Sequence, residues 1–151
     1  MINSPETNPL IVSYKFSIAC KLFPTLAAMK IRIRENTLRI RITQSELKDL
    51  SKGEFLSSTT RFPGGGEMSF GIIPSEDETT QVVMMDQRIS IHIGLLDHQT
   101  MMDESTIGVQ SMHKTSERPL ELLIEKDFTC LHPRSGEDAD TFPNPNKKEI
   151  S

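Results

Sequence analysis

Residues 30–43 read KIRIRENTLRIRIT, and this stretch constrains the fold more than any other. Ile31, Ile33, Leu38, Ile40 and Ile42 alternate with Lys30, Arg32, Arg34, Arg39 and Arg41. A period of two sends one set to each face of a strand. With Glu35-Asn36 as a two-residue turn, the pairs are Arg34–Thr37, Ile33–Leu38, Arg32–Arg39, Ile31–Ile40, Lys30–Arg41 and Met29–Ile42. Every apolar residue then meets an apolar one, and every basic residue meets a polar one. A slip of one residue would break all the pairs, so turn and register support each other. Glu is a poor residue for positive φ, so the alternation carries the assignment more than the turn does.

The hairpin leads into Thr43-Gln44-Ser45-Glu46, a capping box in which hydroxyl and carboxylate satisfy each other's backbone amide. Leu47 and Leu50 share one face of the short helix this starts, and Gly53 suits its end. Residues 54–62 and 67–73 read as strands about Pro63-Gly64-Gly65-Gly66. The triglycine lacks the Gly-Lys-Ser/Thr and helix of a phosphate loop, so it reads as a hairpin loop. A polar connection follows. Residues 81–93 then repeat the first theme, with Asp86-Gln87 as turn, Met84 opposite Ile89 and Val82 opposite Ile91. Residues 94–103 predict a short helix, 106–112 a strand and 120–131 the longest strand. Within the last, Leu122-Leu123-Ile124 suggests burial on both faces. Met84, Met85, Met101, Met102 and Met112 read as core fillers.

This order predicts an α+β fold dominated by antiparallel β, with about eight strands and two short helices. It reads as two ββαββ units, 29–73 and 81–127. Eight mostly antiparallel strands in so short a chain are expected to form a barrel-like or strongly curved sheet that protects its edges.

At 151 residues the chain is one domain by length. We place the α+β domain at 29–145, with 146–151 as a disordered end and 1–28 as an extension outside the core. Pro5, Asn8, Pro9, Lys21 and Pro24 interrupt that extension. Its apolar runs are too short for a membrane span, and its charge sits too late for a signal peptide. Met29, directly before the first strand, is a candidate start. In the tail, Pro133, Pro143 and Pro145 exclude regular structure, and Phe142 is a candidate anchor that packs back on the sheet. The net charge of −4 argues against nucleic-acid binding. Two cysteines, Cys20 and Cys130, make no disulfide framework, which points to a reducing, cytoplasmic setting without a membrane.

Residues 29–47, MKIRIRENTLRIRITQSEL, and 124–134, IEKDFTCLHPR, together with 137–145, EDADTFPNP, resemble the two ends of a family of small uncharacterised bacterial proteins. The resemblance covers about 29–145 and leaves out 1–28. It implies no activity and assigns no functional residue.

Three constellations could carry chemistry. Lys30, Arg32, Arg34, Arg39 and Arg41 share one face of one hairpin, and guanidinium forks bind phosphate and carboxylate. Lining a barrel, they would suit a polyphosphate, as in triphosphate-tunnel enzymes. Glu121, Glu125 and Lys126 lack the Glu-x-Glu-x-Lys spacing that such enzymes use for metal. The plainer reading is a solvated face, or one paired with Glu121, Glu125 and Asp127. Second, Cys130 and His132, beside Glu137, Asp138 and Asp140, have metal-ligand chemistry but no second pair at finger spacing, so no metal site is expected. Third, Cys130 with His92, His98 or His113 lacks a nucleophile elbow, and no catalytic residue is assigned. The sequence therefore points to a non-catalytic binding or interaction module without a cofactor, whose partner is a protein or a small anionic ligand. The alternative is an enzyme or sensor that holds an anionic, for example phosphorylated, small molecule on the basic hairpin.

Overall fold

The computed structural model describes residues 29–131 and 139–146. The expected extension 1–28, the end 147–151 and His132 lie outside the described residues.

Strands β1 (Lys30–Arg34) and β2 (Thr37–Ile42) form the first hairpin in the expected register, from Lys30 opposite Arg41 to Arg34 opposite Thr37. Glu35 takes φ +50° despite its side chain. Positive φ at the first central residue alone is the pattern of a type II′ turn, whose twist matches the strands. The hairpin tip is held from outside: the Asn36 amide donates to the carbonyls of Arg118 and Pro119 at 2.6 and 2.9 Å. Helix α1 (Gln44–Ser51) opens with both bonds of the capping box. Strands β3 (Leu56–Arg61) and β4 (Glu67–Pro74) pair Leu56 with Ile72 and Thr60 with Met68. Strands β5 (Gln81–Met85) and β6 (Arg88–Ile93) pair Met84 with Ile89 and Val82 with Ile91. Their turn puts Asp86 and Gln87 both at positive φ, the type I′ pattern. Helix α2 (Leu95–Met102) and strands β7 (Gly108–His113) and β8 (Leu120–Lys126) complete the order.

Two of the architectural expectations are corrected. There is no closed barrel, and the sheets are not antiparallel only. The strands form two four-stranded sheets, ordered β1-β2-β8-β7 and β3-β4-β6-β5, with parallel pairs β2–β8 and β4–β6 at their centres. The cause is the helices. Each carries the chain from one sheet to the other, so the two hairpins of a ββαββ unit land in different sheets. Each sheet therefore takes one hairpin from each unit. Alternation in the sequence specifies which face a residue occupies, but not which distant strand lies beside it.

Both sheets turn their inner faces to one core: Leu38, Ile40 and Ile42 from β2, Leu122 and Ile124 from β8, Phe70 and Ile72 from β4, and Ile89, Ile91 and Ile93 from β6. Leu50 of α1 and Met101 of α2 close it at the helices. The central strands are thus buried and the edge strands are not. This explains why only part of the methionine expectation holds. Met101 is buried and Met102 half-buried, whereas Met84, Met85 and Met112 lie on edge strands and are 61–70% exposed.

Strand β8 stops at Lys126 and does not run to 131. The amide of Asp127 still donates to the Ile42 carbonyl, after which the chain pairs with its own returning tail. Phe128 and Phe142 form a parallel bridge with their rings 6.0 Å apart. The tail also reaches α1, where the Asp140 carboxylate accepts from the amide and hydroxyl of Ser45. Phe142 is half-buried there, as expected of an anchor.

Candidate functional site

The hairpin alternation puts Arg32, Arg34, Arg39 and Arg41 on the outer face of the first sheet. The parallel register of β2 and β8 lays Thr37 beside Glu121, Arg39 beside Leu123 and Arg41 beside Glu125 on that face. The five cations expected to form a site divide into two groups. Lys30 donates to the buried Asp127 carboxylate at 2.8 Å, and Arg41 lies 3.7 Å from Glu125. Arg32, Arg34 and Arg39 line one open depression of ≈ 350 Å³ with Glu35, Thr37 and Glu121. Arg39 belongs to both groups, with its Nε 3.6 Å from Glu125.

The acids at the depression are engaged elsewhere. Glu35 pairs with Arg118 at 3.2 Å, and Glu121 accepts from the Thr37 hydroxyl and the Gln110 amide. Arg32 and Arg34 form no ion pair among the described residues. The depression therefore presents guanidinium donors to solvent on a rigid hairpin. It can hold a phosphate or carboxylate in the manner of an arginine fork.

The second unit offers an internal control. Its hairpin superposes position for position on the first in register, with matched core residues Ile31 and Val82, Leu38 and Ile89, Ile40 and Ile91. At the outer positions the match ends. Lys30, Arg32, Arg34, Arg39 and Arg41 correspond to Gln81, Val83, Met85, Ser90 and His92, while Thr37 corresponds to Arg88, the one arginine of the second face. The fold does not need a basic hairpin, because it builds the same hairpin without one.

Of the other expected residues, His132, Glu137 and Asp138 lie outside the described residues. Cys130, the proposed ligand partner of His132, is exposed. His98 is bonded through Nε2 to the Leu50 carbonyl at 3.1 Å, joining the two helices. His113 contacts the Ser111 hydroxyl at 2.8 Å, and desolvation holds its imidazole below the ordinary 6.5. Among the described residues, no three His, Cys, Asp or Glu side chains are grouped to hold a metal ion.

Sequence reasoning passed over Lys126. Leu120, Leu122, Ile124 and Lys126 share one parity, so the lysine occupies the core-facing side of β8. It is only 4% exposed, and its ammonium donates to the Asp103 carbonyl at 2.6 Å. It lines a cavity of ≈ 740 Å³ between α1, the end of α2 and the returning tail. A lysine that continues an apolar parity was the available signal.

Among the described residues, no helix is long and apolar enough to cross a membrane. The comparisons with curated proteins and with solved structures return no match. A family model described as a family of unknown function, DUF7009, matches residues 29–146, most of the chain, and the protein belongs to that family.

Proposed function

We propose that the protein is a non-catalytic binding module that docks a small anionic group in the depression between Arg32, Arg34 and Arg39. The observation that carries this reading is the asymmetry between the hairpins: the same register is built twice, with five lysines and arginines on the outer face of the first and Arg88 alone on that of the second. Charges that the fold does not require, held on a hairpin pinned at its tip, are suited to recognition. Arginine forks favour phosphate or carboxylate oxygens over halide, and an open site of this size takes a head group rather than engulfing a ligand. The side chains lining the depression are guanidinium groups, a threonine already hydrogen-bonded and two engaged carboxylates. They supply charge and donors for binding, with no activated nucleophile. A bacterial cytoplasm is the setting that accompanies this reading, in keeping with a chain of two cysteines.

The test uses inorganic tripolyphosphate as probe. Calorimetry at low salt should show binding to the full chain that weakens with salt, as an exposed cationic site requires. The triple variant R32V/R34M/R39S gives the three arginine positions of the depression the residues found at the matched positions of the second hairpin. It should unfold at an unchanged temperature and lose the binding. Phosphorus NMR should recover the tripolyphosphate intact. Absence of binding to the wild-type chain, or binding that survives the triple variant, overturns the reading, and hydrolysis of the probe turns it into an enzyme.

A further inference from the structure

The second site is the cavity at Lys126, which shares no residue with the arginine depression. The paired registers make Lys126 the counterpart of Pro74: Lys126 lies beside Ile42 on β8, and Pro74 lies beside Ile93 on β4. The scaffold therefore closes the equivalent position with an apolar ring in one unit and with a charged side chain in the other. An ammonium taken out of water is costly unless its charge and donors are met. Lys126 has three donors. Among the described residues they meet one carbonyl, that of Asp103, and no carboxylate forms an ion pair with the ammonium; the Asp103 carboxylate, bonded to the Ser105 amide and hydroxyl, feels its charge only from beyond that distance. The Phe142 ring lies 5.6 Å from the ammonium, which adds attraction but no hydrogen-bond acceptor.

The walls around it are largely apolar: Leu47, Met102, Ile107, Phe128, Phe142 and Pro143. Ile107 is 59% exposed beside this cavity, an aliphatic side chain with nothing packed over it among the described residues. The volume of ≈ 740 Å³ lies within the range of small-molecule pockets. Buried cation, aromatic wall and exposed aliphatic rim define one ligand chemistry. We infer that this cavity binds a monoanionic amphiphile, with a carboxylate head that accepts from Lys126 and an apolar body laid along Met102, Ile107 and Phe128. Lys48, which also lines the cavity, adds to the preference for an anion, and the lining Glu104 disfavours a dianion. The returning tail supplies Phe142 and Pro143, so the site depends on the tail being docked.

Decanoate, used below its micellar concentration, is the probe, and decanol is its uncharged counterpart. Titration of the full chain, followed by calorimetry and by chemical shifts of the Met102 methyl group, should show saturable decanoate binding. Decanol should bind at least about tenfold more weakly, since the charge-assisted bond is absent. K126M keeps length and packing and should lose decanoate by the same factor while leaving decanol unchanged. I107D, at the rim, should weaken both ligands without touching Lys126. R32V/R34M should leave decanoate binding intact, which separates this site from the arginine depression. The inference is overturned if decanoate fails to bind the wild-type chain, if decanol binds as well as decanoate, or if K126M binds decanoate normally.

Discussion

The two ββαββ units share a plan and build it from different atoms. In the first, Glu46, three residues into α1, accepts from the Met29 amide at 2.6 Å and from the Thr43 amide at 2.8 Å. That bond ties the helix to the residue that precedes the unit's first strand. In the second, Asp97 occupies the same place in α2 and accepts from the Thr80 hydroxyl, the residue that precedes β5. The position of the cap residue Thr43 is filled there by Gly94, whose amide donates to that same Thr80 hydroxyl at 3.0 Å. A side chain at Gly94 has no room: its Cβ would lie 2.4 Å from the Thr79 carbonyl carbon. The second unit lets the strand approach closely: α2 has no side-chain cap, its first amides donate to the carbonyls of Asp77 and Glu78, and the Thr80 hydroxyl bridges the Gly94 amide and the Asp97 carboxylate. Connections that hold the fold are thus conserved between units in geometry, though not in residue type. The outer faces diverge in charge, and only part of the first one's charge is used in pairing, by Lys30 with Asp127 and by Arg39 and Arg41 with Glu125.

The comparison breaks first, if it breaks, at the core. Ile40 and Ile91 are both fully buried at matched positions. Ile40→Ala and Ile91→Ala should each cost about 2–5 kcal/mol in urea denaturation. Ile33→Ala and Met84→Ala, at matched but exposed positions, should each cost less than about 1 kcal/mol. Clearly unequal losses at Ile40 and Ile91 would mean that one unit dominates the core.

The helix ties come next. Thr80→Val leaves the Gly94 amide without its acceptor and Asp97 without its donor, and should cost about 1–3 kcal/mol. Thr43→Ala removes one side of a capping box whose other side remains, and should cost about 1 kcal/mol. Comparable losses at the two positions would erase the distinction between a bridging hydroxyl and a helix cap.

A smaller effect separates the units by pH. Burial pushes the Glu46 carboxyl above its ordinary 4.5, against the lowering effect of the hydrogen bonds from Thr43 and Met29. The folded chain therefore holds this proton more tightly than the unfolded chain. Its contribution to stability is fully present below 4.5 and is lost as pH rises through the folded value. A fall in stability over that window should be visible in the wild-type chain and absent from Glu46→Gln. The smallest effect is expected at the surface. Arg41→Ala should change stability by no more than about 1 kcal/mol, since its pairing with Glu125 is long and half-exposed.

Hairpins, turns and the first helix cap were legible in the sequence because each is a local pattern. Alternation over Ile31–Ile33 and Leu38–Ile42 settles faces and register together, and Thr43 with Glu46 announces a helix start. The joining of β2 to β8 was not legible. Leu38, Ile40 and Ile42 would look the same beside an antiparallel neighbour, since a strand's parity says nothing of its partner's direction. The candidate site divides along the same line. The arginines were visible as a run and Glu125 and Asp127 could be named as partners, whereas which cations they take and which stay open depends on the parallel register. Lys126 was legible in principle, because it continues the parity of Leu122 and Ile124. A charged end to an apolar strand reads as the place where the strand leaves the core, and here it does not.

The exchange of hairpins between sheets has a consequence for how the chain reaches this state. Each central pairing joins a strand of one unit to a strand of the other, with Thr37 beside Glu121 in one sheet and Phe70 beside Ile89 in the other. The first of these closes a loop spanning most of the domain, and such closures are entropically expensive before any contact rewards them. Neither unit can complete a sheet alone, so local order in one gains little until the other arrives, and folding becomes all-or-none across the whole domain. During synthesis the first unit emerges with the inner edges of β2 and β4 both unpaired. Until the second unit follows, the only strands able to satisfy those edges belong to another chain.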